Sequence, residues 1–207
     1  MKQLLLSTIR LIGKIYPYSL SVSLRYYRNL VYTAWLRNEL GEIGDSSIIE
    51  KPFQVMGGGH RKIQIGRNTC IQSHSVLGCW VRHNGEEYSP SITIGDNCSF
   101  GEYNHITAIK KITIGNGLLT GRFVIISDNN HGELSLEEAE CPPGNRSLKS
   151  KGGISIGDNV WIGDKATILS GVQIGNNVIV AANSVVSKSV PANCVVAGIP
   201  AKVIKKL

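Results

Sequence analysis

No stretch of the chain approaches the roughly 18 consecutive apolar residues of a membrane-spanning helix, so no spanning helix is expected. Aromatic residues are scarce: they make up 6% of 207 residues, with only three Phe, while 42% are hydrophobic, so the core must be built from aliphatic side chains. Acidic residues are outnumbered 15 to 22 by Lys and Arg, and the formal net charge of +7 points to anionic partners. The basic residues are not interleaved with aromatics in any repeated nucleic-acid-reading motif, and nucleic acid is not an expected partner. Five cysteines, Cys70, Cys79, Cys98, Cys141 and Cys194, are odd in number, far apart and free of any CxxC pair or secretory signal. They read as reduced, structural thiols of a cytoplasmic protein. There is no GxSxG elbow, nor a cysteine beside a histidine in a nucleophile motif, so covalent catalysis has no candidate nucleophile.

What is present is a repeat. Residues 154–189 divide without a gap into ISIGDN, VWIGDK, ATILSG, VQIGNN, VIVAAN and SVVSKS. The third place is held by Ile156, Ile162, Ile168, Ile174, Val180 and Val186, and the first by Ile154, Val160, Ala166, Val172, Val178 and Ser184. A period of six is neither the 3.6 of a helix nor the 2 of a half-buried strand; it predicts a solenoid of short strands with a turn after each. Three sixes make one triangular coil, with neighbouring coils about 4.8 Å apart. Gly157, Gly163 and Gly175, followed by Asp158, Asn159, Asn176 and Asn177, occupy the turns, where residues that tolerate positive φ are expected.

The rest of the chain divides around this block. Residues 1–40 are rich in Leu and Tyr and carry Lys2, Arg10, Lys14, Arg25, Arg28 and Arg37 against the single acid Glu39. Pro17 splits them into two expected helices, the second with Leu20, Leu24, Tyr27, Val31 and Ala34 on one side. Two roles suit such a segment: a cap on the first coil, as solenoids require, or peripheral contact with an anionic membrane through a basic amphipathic helix. Residues 41–207 form the second expected unit. Sixes start irregularly at Ile43, become clear at 62–78 with Ile63, Ile65, Ile71 and Leu77 pointing inward, and slip near 107–111. They are broken twice, near 79–90 and near 128–153, each break reading as a loop thrown out of one corner while the coil continues.

These sixes resemble the hexapeptide repeat of the left-handed parallel β-helix acyltransferases, and the left hand is what the resemblance implies. The stretch EYNHITAIKKITIGNGLLTGRFVIISDNNHG resembles the segment that leads to the catalytic histidine in polysaccharide O-acetyltransferases. Those enzymes commonly show Asp-His-Asn-His-Gly; here Asp128, Asn129, Asn130, His131 and Gly132 fill the places, so the resemblance makes His131 the base and replaces the first imidazole by Asn129. It also implies that Asn104 faces the acceptor, the other reading of that residue being an asparagine ladder inside a β-helix corner. Asp128, Asn130 and Glu133 are candidates for orienting His131 or receiving sugar hydroxyls, with solvated loop carboxylates the equal alternative for the two acids. ANSVVSKSVPANCVVAGIPAKVIKK resembles the family's coenzyme A segment. Acetyl-CoA is thereby the implied co-substrate, held by Trp161, Gly163, Asp164, Ala182, Ser187 and Lys188, with Lys202 and Lys205 at its nucleotide end. A homotrimer with sites between chains is implied as well.

The expected chemistry is direct transfer of acetyl to a sugar hydroxyl of a surface polysaccharide or its precursor. An imidazole within hydrogen-bond reach can take the hydroxyl proton while backbone N–H groups stabilise the oxyanion. Three alternatives remain open: N-acetylation of an amino sugar, a silent β-helix scaffold, and a zinc enzyme resembling the γ-class carbonic anhydrases. The zinc reading needs three convergent histidines, and the paired-His motif with its Gln-Asp signature is missing. No metal is expected.

Overall fold

The structure is a computed structural model and describes residues 1–133 and 135–206, with the Glu137 side chain outside the description. Three parallel sheets run along it, of six, eight and six strands. Successive strands visit them in turn: Ile63–Ile65 in the first, Cys70–Ile71 in the second, Val76–Cys79 in the third, then Ser91–Ile94 back in the first. Each turn of chain is thus one triangular coil with three walls, and its backbone N–H groups reach carbonyls of the next coil, as from Ile48 to Thr69 at 2.9 Å and from Thr167 to Ser184 at 2.8 Å. The last described strand, Ala201–Lys206, folds back antiparallel on Cys194–Gly198 of the second wall.

Both apolar places of the regular sixes point inward. Ile156, Ile162, Ile168, Ile174, Val180 and Val186 are at most 3% exposed, and Ile154, Val160, Ala166, Val172, Val178 and even Ser184 are buried beside them. The turn chemistry differs from expectation. Gly157, Gly163 and Gly175 do not have positive φ; Asn159, Asn177 and Asn183, at φ 55–58°, supply it. The glycines are needed for close approach instead, since a Cβ on Gly163 would stand 2.5 Å from the Ala182 nitrogen of the next coil. Carboxylates and amides bridge the coils at one corner. Asp158 accepts from the Asn116 N–H at 2.6 Å and Asn176 from the Asp158 N–H at 2.9 Å.

Helix α1 (Lys2–Ile15) has no buried residue, and helix α2 (Tyr18–Leu36) meets the prism only near its end. The first coil has no earlier coil to bond, and α2 supplies side chains in its place. Thr33 Oγ1 accepts from Ile49 N–H at 2.9 Å, Asn29 Oδ1 from Lys51 N–H at 3.3 Å, and Leu36 with Leu40 covers the open core. The stripe Leu20, Leu24, Tyr27 and Val31 faces the other way and is 40–72% exposed.

Candidate active site

Both breaks in the repeat leave the prism at the same corner, between the third and first walls. The first follows Val76–Cys79 and the second follows Ile125–Ser127; the strand between them, His105–Ala108, is in register with both. Each break folds into a hairpin. Arg82–His83 pairs with Glu86–Glu87, and Asn130–His131 pairs with Leu148–Lys149. The two hairpins are clamped to each other. Asn84 Nδ2 donates to Gly144 O at 2.9 Å, Ser147 Oγ to Glu86 Oε1 at 2.6 Å, Tyr88 OH to Glu86 Oε2 at 2.8 Å, and Leu148 N–H to Tyr88 OH at 3.0 Å. The hydrogen bond from Ser147, then that from Tyr88, holds the Glu86 carboxyl below its usual range. A depressed carboxyl stabilises above its unfolded value and loses that contribution as pH falls through the folded one, so the clamp is fully present at neutral pH.

His131 stands where this paired-loop structure meets the third wall, and its exposed ring borders two hollows. One is a cavity of about 180 Å³ over the third wall, lined by the rings of Trp80, His83 and His105, by Met56 and Leu148, and by the polar groups of Thr107 and Asn129. The His83 ring stands edge-on to His131 with centroids 5.4 Å apart, and Trp80 edge-on to His83 at 6.1 Å. Desolvation there holds the His105 imidazole below its usual value. The other hollow is a groove of about 620 Å³ lined by Asn130, Gly132, Glu133, Arg146, Lys149, Ser150 and Lys151. Gly152, at the end of this segment, rests against Gly171 of the next coil, accepting its N–H at 2.9 Å.

Two expected acceptor contacts lie elsewhere. Asn104 is 2% exposed and turned into the corner between the second and third walls, where its amide donates to Thr120 Oγ1 at 2.5 Å and accepts from Val124 N–H at 2.8 Å. An asparagine with both ends spent on the next coil is a structural ladder residue and does not face a substrate. Asp128 is fully buried and accepts from Ile109 N–H at 2.8 Å and Lys110 N–H at 2.9 Å, so its carboxylate ties off the tight corner under the loops. That buried charge, after burial itself, pushes the nearby Cys79 thiol up to about 12. Asn130 and Glu133 do face the groove. Among the described residues no carboxylate hydrogen-bonds to His131. Trp80, His83, Arg146 and Lys149 are lining residues that the reading of the repeats passed over, because they sit in the segments that break the period.

The expected donor contacts fall on two edges of the prism. Ser187 and Lys188, both exposed, follow the third-wall strand Val185–Val186, on the corner of His131 and two coils, or roughly 10 Å, further along. Trp161 projects from the second wall, 50% exposed, in register between Leu119 and Ile179. Gly163, Asp164 and Ala182 lie where the second wall turns into the third, and Lys202 and Lys205 are exposed on the last, antiparallel strand of the second sheet. The Asp164 carboxylate accepts from Arg122 N–H at 2.8 Å. At the corresponding place one coil further on stands Ala182, which has no such acceptor, and the Asp164 and Ala182 N–H groups carry no partner among the described residues. Unspent N–H groups on successive coils can bind an oxyanion or amide carbonyl. Within one chain they lie across the whole third wall from His131. Among the described residues no group of histidines, cysteines and carboxylates is arranged to hold a metal ion.

Comparison with known proteins agrees with the repeat. Residues 153–188 match the family described as bacterial transferase hexapeptide (six repeats). A putative lipopolysaccharide biosynthesis O-acetyl transferase, WbbJ of Escherichia coli K12, is 44% identical over 119 residues, covering 56% of this chain and 60% of that protein. The galactoside O-acetyltransferase of the same organism is 34% identical over 127 residues, 58% of this chain and 56% of that one. The chain thus spans less than two thirds of either relative. A hexapeptide-repeat-containing acetyltransferase from Vibrio cholerae O1 biovar eltor, solved in complex with acetyl coenzyme A, superposes with a TM-score of 0.56 at 27% identity, covering 84% of this chain and 75% of that one.

Proposed function

We propose, from the premise that this is a hexapeptide-repeat chain, that it is an acetyl-CoA-dependent O-acetyltransferase acting on a sugar hydroxyl of a surface polysaccharide or its precursor, with a left-handed coil. The observation that carries this reading is the placement of His131, an imidazole at the rim of a small ring-lined cavity on one side and a cationic groove on the other. His131 takes the proton of the acceptor hydroxyl as its oxygen attacks the acetyl carbonyl. The C–O bond forms, the tetrahedral oxyanion accepts from backbone N–H groups, and the C–S bond breaks. The departing thiolate takes the proton back from the imidazolium, so no covalent enzyme intermediate is needed.

Asn130 and Glu133 flank the base on the groove side. Trp161, Gly163, Asp164 and Ala182 receive the pantetheine, Ser187 and Lys188 continue that path, and Lys202 and Lys205 meet the phosphates as point charges. Because these groups fall on two edges of one prism, the working site lies between two chains of a homotrimer. The outward residues of the walls support this: the first wall presents Gln64, Thr93, Thr113, Ser155 and Gln173 in one register, whereas the second presents Leu119, Trp161 and Ile179. The test is release of coenzyme A thiol from acetyl-CoA when carbohydrate acceptors are supplied, with the product's ester identified by its lability to mild base. An acetamide product would move the reading to amino-sugar N-acetylation, and no transfer would leave a scaffold.

Helix α1 adds a membrane contact to this reading. Its Leu5, Ile9 and Ile12 are 54–60% exposed beside Lys2, Arg10 and Lys14, a pairing that suits an anionic lipid surface. No described helix is long and apolar enough to cross a bilayer. The full chain is expected to sediment with anionic vesicles at low salt, and a chain lacking residues 2–16 to stay in the supernatant while remaining folded, because the cap made by Asn29, Thr33 and Leu36 is retained. A full chain that ignores such vesicles at low salt would remove the membrane role.

A further inference from the structure

The cavity and the groove are unequal partners of His131, and the difference bears on what the acceptor is. Resting on the acetyl-transfer reading above, we propose that the cavity beneath the clamped loops is a subsite for a single sugar ring. Trp80 and His83 are its specificity wall, and the acceptor is accordingly a terminal or unpolymerised sugar residue, not an internal residue of a chain.

The groove is the natural approach for the donor. It is open, lined by Arg146, Lys149 and Lys151, and runs beside the segment that rests on Gly171, in the direction of Ser187 and Lys188 on the same corner. A thioester arriving along it reaches one side of the imidazole and leaves the cavity side to the hydroxyl. At about 180 Å³ the cavity is well below the roughly 300–1,000 Å³ that holds a whole drug-sized ligand, and suits one ring of a larger one.

Its chemistry suits a carbohydrate. A pyranose offers C–H faces that pack on flat rings and a rim of hydroxyls that need partners. Trp80, His83 and His105 provide faces and edges around the space. Trp80 is fixed by its own hydrogen bond, Nε1 to Thr107 Oγ1 at 3.1 Å, and the Thr107 hydroxyl remains able to donate. Asn129 spends its Nδ2 on Thr107 O at 3.2 Å and on Asp128 Oδ1 at 3.3 Å, which leaves its Oδ1 as an acceptor without a partner among the described residues. His83 is held by the hairpin clamp, with the Asn84 amide 3.1 Å from its Nε2. The floor is the third wall and the roof is the pair of hairpins, and at about 180 Å³ the space between them has no room for the rings that flank an internal residue.

The experiment uses methyl hexopyranosides and their linear oligosaccharides as probes, with acetyl-CoA, on the full chain. Trp80→Ala is expected to raise the acceptor KM about tenfold or more, the size that follows from removing an aromatic stacking interaction and the apolar area it buries, while the KM for acetyl-CoA changes less than about twofold. Trp80→Phe is expected to recover most of that effect, which separates stacking from a folding defect. Met56→Trp, placed at the mouth where Met56 is 41% exposed, is expected to block transfer to sugars and leave coenzyme A binding intact. Mass spectrometry of acetylated oligosaccharides is expected to find the ester on a terminal residue only. An acceptor KM untouched by both Trp80→Ala and Met56→Trp, in a protein that still needs His131, would overturn the subsite, as would esters on internal residues. Absence of transfer by the unaltered protein to any of these sugars overturns the acetyl-transfer reading, and the subsite with it.

Discussion

His131→Ala is expected to lower turnover at least about 100-fold, the low end for loss of a general base, while coenzyme A affinity measured by calorimetry stays nearly constant. The size of the effect follows from the proposed acceptor. A sugar hydroxyl is a poor nucleophile at neutral pH, and among the described residues no carboxylate hydrogen-bonds to the imidazole and could take its place. His83 and His105 share the cavity, but His83 stands beyond His131 in the ring sequence, its Nε2 within reach of the Asn84 amide, and His105 lies on the third wall itself. The constancy of coenzyme A binding follows from placement, since Lys188 lies two coils away and Trp161, Lys202 and Lys205 on another wall. Asp128→Asn should behave differently. It weakens a buried corner that His131 depends on for position, so loss of thermal stability accompanies any loss of rate. Turnover by His131→Ala within tenfold of the unaltered protein, in a preparation free of host transferases, would remove His131 from the mechanism.

The repeat was legible because its signal is geometric. A place that must be aliphatic every sixth residue, and a Gly where coils approach too closely for a Cβ, leave marks that any reading of Ile156, Ile162 and Gly163 recovers. What the sequence did not reveal is the direction of short polar side chains. Asn104 and Asp128 sit at corners where one rotation turns an amide or carboxylate from solvent to backbone, and nothing in the residue type says which way it points. The common corner of the two loops was hidden by the slip near residues 107–111, where an irregular coil disturbs the count of sixes between Cys79 and Ser127. The helix stripe of Leu20, Leu24 and Val31 was visible as a pattern, but docking of α2 is decided by Asn29 and Thr33 binding the bare edge of the first coil. Hydrophobic periodicity cannot register a docking made by hydrogen bonds.

Two inactive proteins are expected to restore activity to each other, and the walls of the prism determine which pairs do. His131, Ser187 and Lys188 share one corner, whereas Trp161, Lys202 and Lys205 belong to the second wall, with the open N–H groups of Asp164 and Ala182 at its far edge. In the proposed threefold, head-to-tail assembly the first edge of one chain would meet the second wall of the next, and the cleft between them would shield a thioester from water. His131→Ala should therefore be co-refolded with a chain carrying Trp161→Ala, Lys202→Glu and Lys205→Glu. In an equal mixture roughly a quarter of the sites then combine an intact corner with an intact second wall, and activity should rise toward that fraction of normal. The control pair is His131→Ala with Lys188→Glu: both changes lie on one corner, no mixed site is whole, and activity should stay at the level of the separate proteins. Differently tagged chains verify that mixed assemblies form. If they do and the first pair recovers nothing, each site is built within a single chain; if both pairs recover equally, Lys188 serves a site other than that of its own chain's His131.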